Sequence, residues 1–232
     1  MLALPRRHFY LAAVVTAGLT NGCQPPRPVT PTGAFAPATR EAFEAAAART
    51  APVRRELLRI RWQSEDARIS VSGSGAVRVA PPDSVRVDIA VRLGVARGTL
   101  IVTGDSLSAQ PAAVTEQFLP DRFALWAALG VIRVPNGVSA FAVLEDGGRT
   151  FWRVTDGGNG TTTFELRGDT LLGVTRERAG TPVAQLRLAR GPDGAVTRAQ
   201  VTDYERRARF QVDVASRQPS EAFPSEVWHL RS

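Results

Sequence analysis

Asp83-Ser84-Val85-Arg86-Val87-Asp88-Ile89-Ala90-Val91-Arg92 is the stretch that decides the fold. Val85, Val87, Ile89 and Val91 alternate with Arg86, Asp88, Ala90 and Arg92, a period of two. That period puts four β-branched side chains on one face of a strand and the polar ones on the other. Pro81-Pro82-Asp83-Ser84 is a turn before it. Upstream, period two starts near Arg59, and Ile69, Val71, Val77 and Val79 share one face of a strand centred on Gly73 and Gly75. Downstream come strands at 99–103 and 106–109, then seven more across 141–144, 151–154, 162–167, 171–178, 183–190, 196–204 and 209–214. Turn clusters such as Glu145-Asp146-Gly147-Gly148, Asp156-Gly157-Gly158-Asn159-Gly160 and Gly191-Pro192-Asp193-Gly194 separate them. Strands spaced by short turns, with no helix between them, make an antiparallel meander and disfavour parallel βαβ units.

Two segments break this period. Arg40-Glu41-Ala42-Phe43-Glu44-Ala45-Ala46-Ala47-Ala48-Arg49 is strong helix-forming sequence. Pro52 limits it, with room for a further turn through Leu57 and Leu58. Pro120-Asp121 opens a second, short helix through Phe123, Leu125, Trp126 and Leu129, ended by Gly130. It is apolar on nearly every side, so both faces need cover, as a core helix or as a lid. The expectation is a mainly β fold: a highly curved antiparallel sheet of about ten strands, an N-terminal helix and one mid-chain helix. Such a sheet must close or be covered to bury its apolar face, and its interior is wide enough for one apolar ligand.

Composition excludes several functions. The chain has 232 residues, one Cys and two His; all 29 of its basic residues are arginine. One Cys forms no internal disulfide and no Cys-rich zinc site, and His8 and His229 are both peripheral, so no metal and no cofactor is expected. The formal net charge of +7 is scattered among acids, which speaks against nucleic acid and allows a mild attraction to anionic head groups. Hydrophobic residues are 44%, enough to bury a core.

The amino terminus gives the Cys a meaning. Arg6 and Arg7 precede an apolar stretch at 9–19, too short to span a bilayer, and no acid appears before Glu41. Leu19-Thr20-Asn21-Gly22-Cys23 resembles a bacterial lipobox, which implies acylation of Cys23 and attachment to a membrane. Each buried methylene contributes about 0.8 kcal/mol, and two or more chains anchor stably. Gln24 and the run with Pro25, Pro26, Pro28, Pro31 and Pro37 read as an extended tether that joins neither helix nor sheet. The expected organisation is a signal peptide over 1–22, a tether over 23–39 and one domain over 40–232. Gln24 is not the aspartate that marks inner-membrane retention in enteric lipoproteins, so the outer membrane, facing the periplasm, is expected.

An N-terminal helix, a strand meander, an apolar mid-chain helix and more strands resemble the LolA/LolB-like fold, half-barrels lidded by helices that hold acyl chains. The local match is Asp83–Gly94 with the strand 98–103: an Arg near the strand start and an apolar-Gly loop at its end. In LolB an apolar residue of that loop engages the membrane; Leu93 is the matching position, with Val95 beside it, though no proline precedes Leu93-Gly94 here. The resemblance implies a monomeric, lipid-anchored envelope protein that binds a lipid or lipoprotein acyl chain and works with a periplasmic carrier protein. The ligand-binding face would be Val85, Val87, Ile89, Val91, Phe123, Leu125, Trp126 and Leu129, and no enzyme activity is expected. A tethered scaffold or interaction module with a filled core is the alternative within the same architecture.

A rival reading is enzymatic. Gly104-Asp105-Ser106-Leu107 matches the motif of the GDSL esterases and lipases, Glu226-Val227-Trp228-His229 approximates their Asp-x-x-His, and Gly157-Gly158-Asn159-Gly160 approximates a third block. Ser106 would be nucleophile, His229 base, Glu226 orienter, with Gly158 and Asn159 near an oxyanion hole. That family needs a parallel sheet with helices between nucleophile and His. Residues 130–215 read as hairpins instead, and Gly104-Asp105 suits a tight turn.

Overall fold

The computed structural model describes residues 31–92, 97–104, 106–111, 122–134 and 137–230. After a three-residue strand β1 (Ala36–Ala38) comes helix α1 (Arg40–Arg49). Thr39 caps α1 by accepting from the Ala42 N–H at 3.2 Å, and Glu41 and Arg49 sit at the ends that suit their charge. Phe43, Ala46 and Ala47, spaced i, i+3, i+4, form its buried face.

The chain then runs as strands β2 (Glu56–Glu65), β3 (Ser70–Ala80), β4 (Ser84–Val91), β5 (Arg97–Thr103) and β6 (Ser106–Gln110). Helix α2 (Arg122–Ala128) follows. Seven strands complete the described chain: β7 (Val138–Asp146), β8 (Arg149–Asp156), β9 (Gly160–Arg167), β10 (Thr170–Arg178), β11 (Thr181–Arg190), β12 (Val196–Asp203) and β13 (Ala208–Pro219). A 3₁₀ turn at Ser225–Trp228 ends them.

Among the described residues these strands form one 13-stranded sheet, in the order β1-β7-β8-β9-β10-β11-β12-β13-β2-β3-β4-β5-β6. Every pairing is antiparallel. The sheet is an open half-barrel with β1 and β6 as its edges. Its halves, β2–β6 and β7–β13, are two meanders joined by the β13–β2 pairing, Val212 opposite Trp62 and Val214 opposite Ile60.

Four expectations are corrected. The strands number thirteen, not about ten. Leu57 and Leu58 belong to β2, not to a further helical turn: beyond Pro52 the alternation of buried Leu58, Ile60 and Trp62 with exposed Arg59, Arg61 and Gln63 outweighs helix propensity. The proline-rich run also reaches the sheet, because Pro37 lies opposite Ala142 on edge strand β1, where a residue without an N–H is tolerated. Ile69 is 59% exposed just before β3, outside the face predicted for it.

The inner face carries two packed clusters. Phe43 of α1 sits in the first, with ring centroids 5.4 Å from Phe141, 5.6 Å from Trp152 and 5.5 Å from Phe164. The second gathers Leu58, Ile60, Val77, Val79, Val85, Leu100 and Val102 beneath Leu125 and Trp126 of α2. Each helix therefore covers one part of a sheet that would otherwise leave its apolar face in water.

Glycine at the centre of β3 has a steric reason. Gly73 lies opposite Trp62, and a Cβ there would collide with the indole ring and with the Ala90 carbonyl. The indole lies across the glycine and its Nε1 donates to the Ser74 carbonyl at 3.3 Å. At Gly75 a Cβ would collide with the Asp88 carbonyl and crowd Ile60.

Candidate apolar ligand site

Where the second cluster meets α2 the packing leaves a void of about 80 Å³. Its floor is Leu58, Ile60, Val77, Val87, Ile89 and Leu100 from β2–β5, and its far wall is Val196, Ala199, Phe210, Val212 and Val214 from β12 and β13. Leu125, Ala128 and Leu129 close it from the helical side. Every lining residue is apolar, so the slot offers burial and no hydrogen bond. It is smaller than the roughly 150 Å³ engineered cavity that stays dry and admits benzene. As it stands it accepts a few methylenes, not a whole acyl chain.

The predicted residues divide around this slot. Val87, Ile89, Leu125 and Leu129 line it. Val85 is fully buried in the adjoining cluster. Trp126 is 3% exposed in the same cluster, with the Arg133 guanidinium 4.4 Å from its ring centroid. Val91, half-buried, pairs with Gly73 beyond the slot. Phe123 lies on α2, but its side chain, like Leu93, Val95 and Cys23, is outside the described residues. Sequence reasoning missed the wall from β12 and β13. Phe210, Val212 and Val214 carried the period-two signal, but their meeting with β2 joins residues some 150 positions apart in sequence and has no local signature.

On the outer face β4 is tied down by charge. Asp88 accepts from Arg78 Nη1 at 2.6 Å, from Thr99 Oγ1 at 2.9 Å and from Arg86 Nε at 2.9 and 3.0 Å. Burial acts to raise the Asp88 pKa, but the hydrogen bonds from Arg86 and Thr99 and the charges of Arg86 and Arg78 outweigh it and hold it below the ordinary 3.8. Arg86 also donates to the carbonyls of Val227 at 2.7 Å and His229 at 3.2 Å, clamping the C-terminal 3₁₀ turn to β4. It is a tie between elements, not the solvated strand residue its alternation suggests.

The hydrolase constellation is not assembled. Gly104 (φ 55°) follows β5 directly, and Thr103 pairs with Ser106 across the β5–β6 hairpin, so the described part of the motif lies at a strand turn. Ser106 is exposed at the start of edge strand β6. Gly158 and Asn159 (φ 62°) form the β8–β9 turn, held by Asp156 accepting from the Gly158 and Gly160 N–H groups, both at 2.9 Å. Glu226 and His229 are exposed beside β4, and among the described residues no side-chain hydrogen bond links either to Ser106. The antiparallel sheet also lacks the parallel strands and intervening helices that the hydrolase reading requires. Among the described residues no group of three or more His, Cys, Asp or Glu stands together to hold a metal, and no helix is long and apolar enough to cross a membrane.

No family model matches the chain, and no curated protein matches it. Solved structures do. A LolA superfamily protein from Nitrosomonas europaea superposes with a TM-score of 0.55 at 8% identity, over 83% of this chain and 98% of that one. A domain from Vibrio parahaemolyticus, described as an outer membrane lipoprotein-sorting protein, gives 0.54 at 10% identity, over 81% of this chain and 94% of that one. The fold is LolA/LolB-like. In this LolA/LolB-like half-barrel the slot lies on the concave side, between the sheet and α2.

Proposed function

We propose that this chain is a lipid-anchored envelope protein that holds an acyl chain against the concave face of its half-barrel and aids delivery of lipoproteins or lipids to a membrane. The observation that carries the reading is the wholly apolar slot beneath α2. Its driving force is burial of the cargo's methylenes, about 0.8 kcal/mol each, and no bond is broken. Because the void is about 80 Å³, an entering chain displaces Leu125 and Leu129 and occupies the space they vacate. Export and acylation at Cys23 would hold the domain at a membrane, the outer one facing the periplasm given Gln24, with Leu93 and Val95 touching the bilayer. Cargo would come from a periplasmic carrier. The lipoprotein-sorting description of the Vibrio parahaemolyticus neighbour supports this reading.

The small volume of the slot favours one second reading, a tethered scaffold whose core is filled. Native mass spectrometry of the protein released from its membrane separates the two. A co-purifying lipid, lost when Ile89→Phe fills the slot, supports the carrier. A protein that stays empty after incubation with fatty acid supports the scaffold. Leu93→Glu should impair delivery without unfolding the domain, and unchanged delivery removes that loop from the mechanism.

A further inference from the structure

On the convex side, opposite the slot, a polar groove of about 650 Å³ crosses β13, β2, β3 and β4. The register lays out its surface. Asp213, Arg61, Ser74 and Ala90 form one row across the four strands, and Gln63, Ser72 and Arg92 lie in the next. Small side chains on β3 make the bottom, and the two guanidinium groups stand on either side of it. Two strand spacings, about 10 Å, separate β2 from β4, so two arginine side chains can converge on one ligand lying on β3.

Most of the nearby charge is already paired. Arg78 and Arg86 bind Asp88, and Arg198 binds Asp213 at 2.5 Å. Arg149 and Arg187 share Glu165. Arg61 and Arg92 are both exposed and make no ion pair within 4 Å or side-chain hydrogen bond among the described residues, although Arg61 lies opposite Asp213 and its charge acts on that carboxylate. Asp213 on the wall pairs with Arg198, accepts from Gln211 at 2.8 Å and also feels the charge of Arg61. The groove thus carries two guanidinium groups against one carboxylate, with the Ser72 and Ser74 hydroxyls and the Gln63 amide, which also donates to Glu65 at 2.5 Å, between them.

We propose that this groove binds a phosphate ester, with Arg61 and Arg92 holding the phosphate oxygens and Ser72, Ser74 and Gln63 hydrogen-bonding the ester's polar remainder. Guanidinium forks match phosphate geometry, and a groove of this size has room for an ester together with its alcohol. A phospholipid head group and a soluble phosphate ester share this chemistry. The site is on the opposite face from the acyl slot and stands or falls without it.

The test is isothermal titration of the full chain in neutral-detergent micelles. The probes are inorganic phosphate, sn-glycerol 3-phosphate and dihexanoyl phosphatidylglycerol. Saturable binding of the two esters is expected, weakened about fivefold by Arg61→Gln or Arg92→Gln and about 25-fold by the pair. Arg167→Gln, an exposed charge on β9, should change nothing. If the arginine pair governs glycerol phosphate but not the lipid, the site holds and its ligand is the soluble ester. No saturable binding of either ester, indifference to both arginines, or an equal loss in Arg167→Gln overturns the proposal.

Discussion

Arg86 and Asp88 stand two places apart in the stretch that decides the fold, and their alternation says only that they face away from the valines. The structure adds that Asp88 accepts from three side chains and that Arg86 binds two carbonyls of the C-terminal turn. Because the folded Asp88 pKa is lowered, its contribution to stability is complete above the ordinary 3.8 and is lost as pH falls through the lower folded value. Asp88→Asn should therefore lower the urea midpoint at neutral pH and flatten the fall in that midpoint below about pH 4. An unchanged acid limb would remove Asp88 from the acid response. At Gly73 the close approach of Trp62 forbids a side chain, so Gly73→Val should cost about 1–3 kcal/mol by overpacking, read as a lower urea midpoint. Retained stability would mean that both the indole and the Ala90 carbonyl of β4 can move aside. Neither contact has a signature in sequence, because each joins strands through a register that the local pattern does not state.

At the level of elements, what sequence made legible was period. β4, the hairpins from β7 to β13 and α1 follow from alternation, turn residues and an alanine-rich run, and the Gly-Asp pair before Ser106 reads as a turn because those residue types fit one. What period could not supply was partnership. β1 is three residues long and carries a proline, so only its pairing with β7 makes it a strand. The β13–β2 seam, which supplies a wall of the slot, depends on curvature of the whole sheet. α2 is where the second cluster meets the slot. Trp126 is 3% exposed beneath Arg133, whereas Leu129 is half-buried at the slot. Trp126→Ala should cost about 3–5 kcal/mol in chemical denaturation, and Leu129→Ala distinctly less. Equal costs would show that α2 packs as a uniform core helix with no side given to the slot.

At the scale of the molecule, one sheet is covered by two α-helices among the described residues, in different ways. α1 fills its part with the tightly packed Phe43 cluster, and α2 covers the other part over an apolar void. That asymmetry marks the slot between α2 and the strands β2–β5, β12 and β13 as the place where the proposed acyl chain would enter. The central claim is that an acyl chain enters this slot. Titration of the protein with a fluorescent fatty acid, beside the variant Val87→Phe, tests it most directly. Val87 is half-buried and lines the void, so an added ring occupies the slot itself. Saturable binding to the wild type is expected, with an affinity lowered at least about tenfold in Val87→Phe and the native fold kept. No binding to the wild type, or equal binding to a folded Val87→Phe, would contradict it.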